Sequence, residues 1–168
     1  MKRRNDMCAL NDDIREYTER LREGAVPRAY RGIMSFMSEL LRRMSASHPD
    51  HAVSALYAGF MDMTYFAITP ADLKILNLKV AVVYLHEENR FEVWLGGGNR
   101  KIQAEYIKRL SGADIGDYTL SKVSPGVDSI LEKRLLEHPN FEDKESLIRR
   151  LDNDVTAFIG DMIELMRY

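Results

Sequence analysis

Apolar residues recur at helical spacing near both ends of this chain and at strand spacing through its middle. Asn11, Asp12 and Asp13 open a helix in which Ile14, Tyr17 and Leu21 share one side, and Gly24 suits its stop. Pro27 opens a second helix, at a position where its missing N–H does no harm. Tyr30, Ile33, Met34, Met37, Leu40, Leu41 and Met44 form the stripe of that helix. A stripe of Met and aromatic residues can line a ligand groove, but core packing is its simpler reading. Ser47, His48, Pro49, Asp50 and His51 break the helix.

The β-branched and aromatic content from 53 to 68 favours a strand, with Gly59 marking a bulge or a close backbone approach. A short helical turn follows from Thr69 to about Asn77. Residues 78–85 are apolar on both alternating faces except at Lys79, which predicts a central strand buried on both faces. Glu87, Glu88 and Asn89 turn the chain, and residues 90–95 return as the antiparallel partner. On that strand Phe91, Val93 and Leu95 share one face, and Arg90, Glu92 and Trp94 share the other. Three glycines lead into a helix to about Leu110, with Ile102, Tyr106 and Leu110 inward. A short strand is expected over 117–123, a helix over 127–137 after Pro125 and Gly126, and a last helix over 143–166. The stripe of the last helix is Ile148, Leu151, Val155, Phe158, Ile159, Met162 and Leu165. The order α-α-β-β-β-α-β-α-α predicts an α/β (α+β) fold, a mixed sheet of about four strands flanked by helices. No repeat, linker or low-complexity segment interrupts the 168 residues, which read as a single globular domain.

Composition narrows the function classes. The net charge of −2 offers no global field for nucleic acid or an anionic membrane. Cys8 is the single cysteine, so no disulfide framework forms within the chain, which fits a reducing compartment. Lys2, Arg3 and Arg4 are basic like the start of a signal peptide, but Asn5, Asp6, Asn11 and Asp12 interrupt any apolar segment after them. No stretch approaches the roughly 20 apolar residues of a membrane span. These features together predict a cytoplasmic protein without a membrane partner.

Candidate chemistry concentrates between Gly59 and Tyr106. Gly96, Gly97 and Gly98 followed by Asn99, Arg100 and Lys101 join a strand to a helix N-terminus, where free N–H groups and two cations could receive an anion. A tight turn explains the same glycines. Asn99, Gln103 and Tyr106 share one helix face, which Glu92 and Trp94 could meet to form a ligand surface or a self-satisfied polar network. Asp62 stands in an apolar-aromatic stretch, so a buried charge there needs Arg90 or Arg100 as partner, or a raised pKa. His86 beside Glu87 and Glu88 reads as a surface turn before it reads as a metal ligand, and so do His48 and His51. Cys8 has no adjacent histidine to activate it as a nucleophile.

The run from Tyr57 to Lys74 and the run from Leu78 to Tyr106 resemble a family of small uncharacterised bacterial and archaeal proteins, a domain of unknown function. The core order α-β-β-β-α-β also resembles the restriction-endonuclease-like nucleases. That resemblance implies a divalent metal, Mg²⁺ by its oxygen ligands, held by Asp62 and Glu92 as catalytic carboxylates, with Gln103 and Tyr106 on the following helix. Trp94 stands where that superfamily has its lysine, so the resemblance lacks the usual cation.

Three functions follow from these readings. The leading one is binding of a small, anionic ligand in a polar-aromatic pocket formed by Trp94, Gly97, Gly98, Asn99, Arg100, Lys101, Gln103 and Tyr106. The alternatives are a metal-dependent phosphodiesterase acting on nucleic acid, and a protein-interaction domain whose C-terminal helix pairs with a second copy.

Overall fold

The computed structural model describes residues 9–168. They form α1 (Leu10–Glu23), α2 (Ala25–Ser47), β1 (Ala52–Val53), β2 (Met63–Thr69), α3 (Ala71–Ile75), β3 (Leu78–Leu85), β4 (Arg90–Gly97), α4 (Arg100–Leu110), β5 (Thr119–Leu120), β6 (Ser129–Glu137) and α5 (Lys144–Met166). The chain falls into two compact units, one ending at Ser35 and the other Phe36–Tyr168, with the boundary inside α2. In the first unit Gly24 stops α1 in the left-handed conformation, at φ 85°, and its N–H bonds to the Leu21 carbonyl. Pro27 sits in the first turn of α2, where no intrahelical acceptor is missed. None of the residues of α1 is buried.

The second unit is built on a six-stranded sheet in the order β1-β2-β3-β4-β6-β5, with every neighbouring pair antiparallel. The class, α+β, is as expected, but the sheet is neither mixed nor four-stranded. Two departures account for the difference. The region expected as one strand over 53–68 yields only its two ends, β1 and β2, around a loop held by a bridge between Tyr57 and Tyr65. The region expected as a helix over 127–137 is β6. Its Leu, Glu, Lys and Arg residues favour helix intrinsically, yet β4 on one side and β5 on the other supply the pairing that overrides propensity.

The β3–β4 hairpin is as the pattern predicts, with Leu78 opposite Gly97 and Leu85 opposite Arg90. Val80, Val82, Phe91, Val93 and Leu95 are fully buried on one face. Each contributes about 1.5–3 kcal/mol by leaving water. Phe36 of α2 meets the Phe91 ring at 5.7 Å, and α5 packs against β4 beside it. The other face is not sealed in the same way. There Lys79 is exposed and Ala81 and Leu85 are half-buried, which corrects the expectation that β3 is buried on both faces.

The α5 stripe, including Leu151, Val155, Phe158 and Met162, is buried in the unit's own core. The stripe expected to pair with a second copy is thus largely occupied within the fold, with Leu165 half-buried at its end. Asp143 caps α5 by accepting from the Ser146 N–H.

Candidate functional site

Arg90, Glu92 and Trp94 project from one side of β4, and the structure links them. Glu92 is 4% exposed. One of its carboxylate oxygens accepts from Arg90 Nε at 2.6 Å, and the other from the Trp94 indole N–H at 2.7 Å. A charge this buried is stable only when paired and hydrogen-bonded, and both conditions are met. The consequence for Trp94 is orientation: its indole is pinned by the ring nitrogen, while the side chain stays half-exposed.

Beside Trp94 lies a small groove. Register explains its shape. Trp94 pairs with Ala81, and Gly96 with Lys79, so two small residues make a floor between larger neighbours. Tyr65 and Met63 of β2 form the far wall, and Ser129 and Asp128 close the β6 side. A second hollow adjoins it, lined by Thr69, Lys74, Asn77 and again Lys79. No carboxylate pairs with Lys74 or Lys79 among the described residues. Tyr65 is backed by Tyr57, ring to ring at 4.9 Å.

Asp62 lies elsewhere. It belongs to an exposed turn in which Gly59 has φ 75° and Met61 has φ 63°. Its carboxylate accepts from the Phe60 N–H at 2.9 Å, and the Phe60 and Met63 amides hold its pKa below the usual aspartate value. The arginine expected for it is taken by Glu92. In register Asp62 adjoins His86, whereas Glu92 faces Val83, three rows along and two strands over. At ordinary strand spacings their Cα atoms lie on the order of 14 Å apart. The two carboxylates implied as a metal pair are thus not brought together. Among the described residues no group of three or more His, Cys, Asp or Glu side chains is placed to hold a metal ion.

His86 meets Thr64 instead, Nε2 to Oγ1 at 2.8 Å, while the Thr64 hydroxyl donates to the Ala58 carbonyl at 2.7 Å. With its one proton committed, Thr64 can only accept from His86, which assigns the Nε2–H tautomer. Burial lowers the His86 pKa, and the Asp62 charge opposes that shift. His48 and His51 stack at 5.1 Å, and His48 bonds to Thr156 of α5. Cys8 lies outside the described residues.

The glycine run serves close packing. A Cβ at Gly97 would lie 2.9 Å from the Gln103 backbone nitrogen, and one at Gly98 would lie 2.1 Å from the Asn77 side chain. Asn99 caps α4 through the Ile102 N–H at 2.9 Å, Arg100 reaches the Ser124 carbonyl at 3.4 Å, and Lys101 is exposed. Gln103 is buried and donates to the carbonyls of Val127 and Ser129, at 2.8 and 2.9 Å. Tyr106 is buried with it. Of the eight residues expected to form one pocket, Trp94 lines the groove and the α4 residues do not.

Tyr65, Lys79, Ala81, Gly96 and Ser129 were not anticipated as site residues. Lys79, Ala81 and Gly96 were within reach of the sequence, because the turn at 86–89 sets which residues of β3 and β4 stand opposite one another.

Fold and site together define an α+β protein whose antiparallel sheet has one sealed face and one half-open face carrying an aromatic groove. Residues 10–166 match the model of a domain of unknown function (DUF7000), and the chain belongs to that family. No curated protein and no solved structure matches it significantly.

Proposed function

We propose that the protein binds a small ligand with a flat apolar part and an acidic group, held in the groove on the half-open sheet face. The observation that carries this reading is the pairing of a fixed aromatic wall with a small-residue floor: Trp94, pinned by Glu92, stands over Ala81 and Gly96. Concave, mostly apolar surfaces with a few convergent polar groups are the usual form of small-molecule sites. Lys79, shared by both hollows and without a carboxylate partner among the described residues, is the group for the acid; Lys74 adds charge beside it. Glu92 acts here as a positioning residue for the indole.

Trp94 is the single tryptophan, so its fluorescence reports on the groove directly. Titration with naphthalene sulfonate should quench it saturably, and Lys79→Ala should weaken binding about five- to thirtyfold, the range for losing one charge-assisted contact. The uncharged analogue naphthalene methanol should bind the wild type as weakly as the sulfonate binds the mutant. Absence of saturable quenching would refute the site; equal affinity for the charged and uncharged probes would refute its acidic ligand.

A further inference from the structure

We propose that α1 is a self-association helix, through which two copies of this chain pair antiparallel. Its apolar residues are Leu10, Ile14, Tyr17 and Leu21, at successive spacings of four, three and four. That is the repeat of a two-stranded coiled-coil seam. Among the described residues Leu10 is 71% exposed, Ile14 50% and Tyr17 53%, and no residue of α1 is buried. A helix with a continuous apolar seam in water is incomplete, since most helical stability in proteins comes from packing such a face.

Charge beside the seam selects the occupant. Asp13 and Arg20 are seven residues apart, so both flank the seam on the same side. In an antiparallel pair Leu10 meets the partner's Leu21 and Ile14 meets the partner's Tyr17. Asp13 then lies against the partner's Arg20, and the symmetry makes this contact twice. A parallel pair would set Asp13 beside the partner's Thr18 and leave Arg20 without an acid across the seam. Asp13 has no ion-pair partner within its own chain among the described residues. Arg20 is held on that flank by Glu16 and Glu23, at 2.7 and 3.3 Å. The remaining charges of the helix fall on its back. The surface is therefore self-complementary in shape and in charge, which is what a two-fold interface needs. Two heptads per helix make a small seam, so the association belongs in the micromolar range.

Sedimentation velocity on the full chain, from about 1 to about 100 μM, tests this. A monomer–dimer equilibrium is expected, abolished by Ile14→Asp. Asp13→Arg and Arg20→Asp each turn two attractions into repulsions and should weaken self-association about tenfold. Mixing the two charge variants in equal amounts should restore dimers, because each then meets its opposite across the seam. Restoration also separates the interface from any loss of helix in Arg20→Asp, since that defect persists in the mixture; circular dichroism checks that each variant is folded. A wild type that stays monomeric throughout, a dimer indifferent to Ile14→Asp, or charge variants that fail to recover on mixing would each overturn the proposal.

Discussion

Replacing Gly59 by alanine should cost at least ~2 kcal/mol of stability. Its φ is 75°, and the added Cβ would lie 1.9 Å from the Met63 carbonyl oxygen, which is backbone and cannot swing away. A shift in the urea midpoint checks this, and an unchanged midpoint would show that the turn has another way to close. That glycine is legible in the sequence because a lone glycine in a β-rich run needs a steric reason, and the reason is the one expected. Asp62, three residues on, was not legible in the same way. Its apolar neighbours suggest burial, yet Phe60 is 88% exposed and Met61 55%, so the stretch faces solvent and the carboxylate needs only backbone amides. The charge that does need an arginine is Glu92. Glu92→Ala should destabilise the protein by about 1–3 kcal/mol, because the half-buried Arg90 and the Trp94 N–H lose their shared acceptor. The same variant should change the Trp94 emission, since the indole loses its anchor; unaltered emission would mean that packing alone orients the ring.

Among the elements, the hairpin of β3 and β4 was readable because alternation and a four-residue polar turn agree. The strand β6 was not, because its fate depends on β4 and β5, which lie far from it in sequence or become strands only beside it. Gln103 helps secure that arrangement by donating to two carbonyls at the entry to β6. Gln103→Leu should therefore lower stability by about 1–3 kcal/mol, through two buried acceptors left without donors. Amide hydrogen exchange should rise first at residues 129–131; faster exchange confined to α4 would place the role of Gln103 within its own helix. The shared face of Asn99, Gln103 and Tyr106 was ambiguous for a related reason. Helical spacing puts residues on one side but cannot say whether that side meets a ligand or the protein itself.

At the scale of the whole molecule, stability should depend on pH in two separate windows. The pKa values of His51 and His86 are both lowered from the usual 6.5, chiefly by burial. Protons then bind the unfolded chain first, so stability present above 6.5 is lost as pH falls from about 6.5 toward the lower folded values. Glu39 is held down to about 2 by hydrogen bonds from Arg42 and Arg43, so its contribution is lost only as the pH falls from about 4.5 toward 2. Urea midpoints at about pH 7.5, 5.5 and 3.5 should decline in two steps, with NMR titration of His51 centred below 6.5. A flat profile between the first two points would contradict the histidine assignment. The strand order has a further consequence, for solubility. Both margins of the sheet are strands of only two residues, β1 and β5, whereas the strands just inside them run to seven and nine. Margins this short offer a neighbouring chain almost no backbone to pair with. These two margins of the sheet thus act as stoppers against fibrous growth, and removing β5 would free Leu131 and Glu132, the β6 residues it pairs with, for a neighbouring chain.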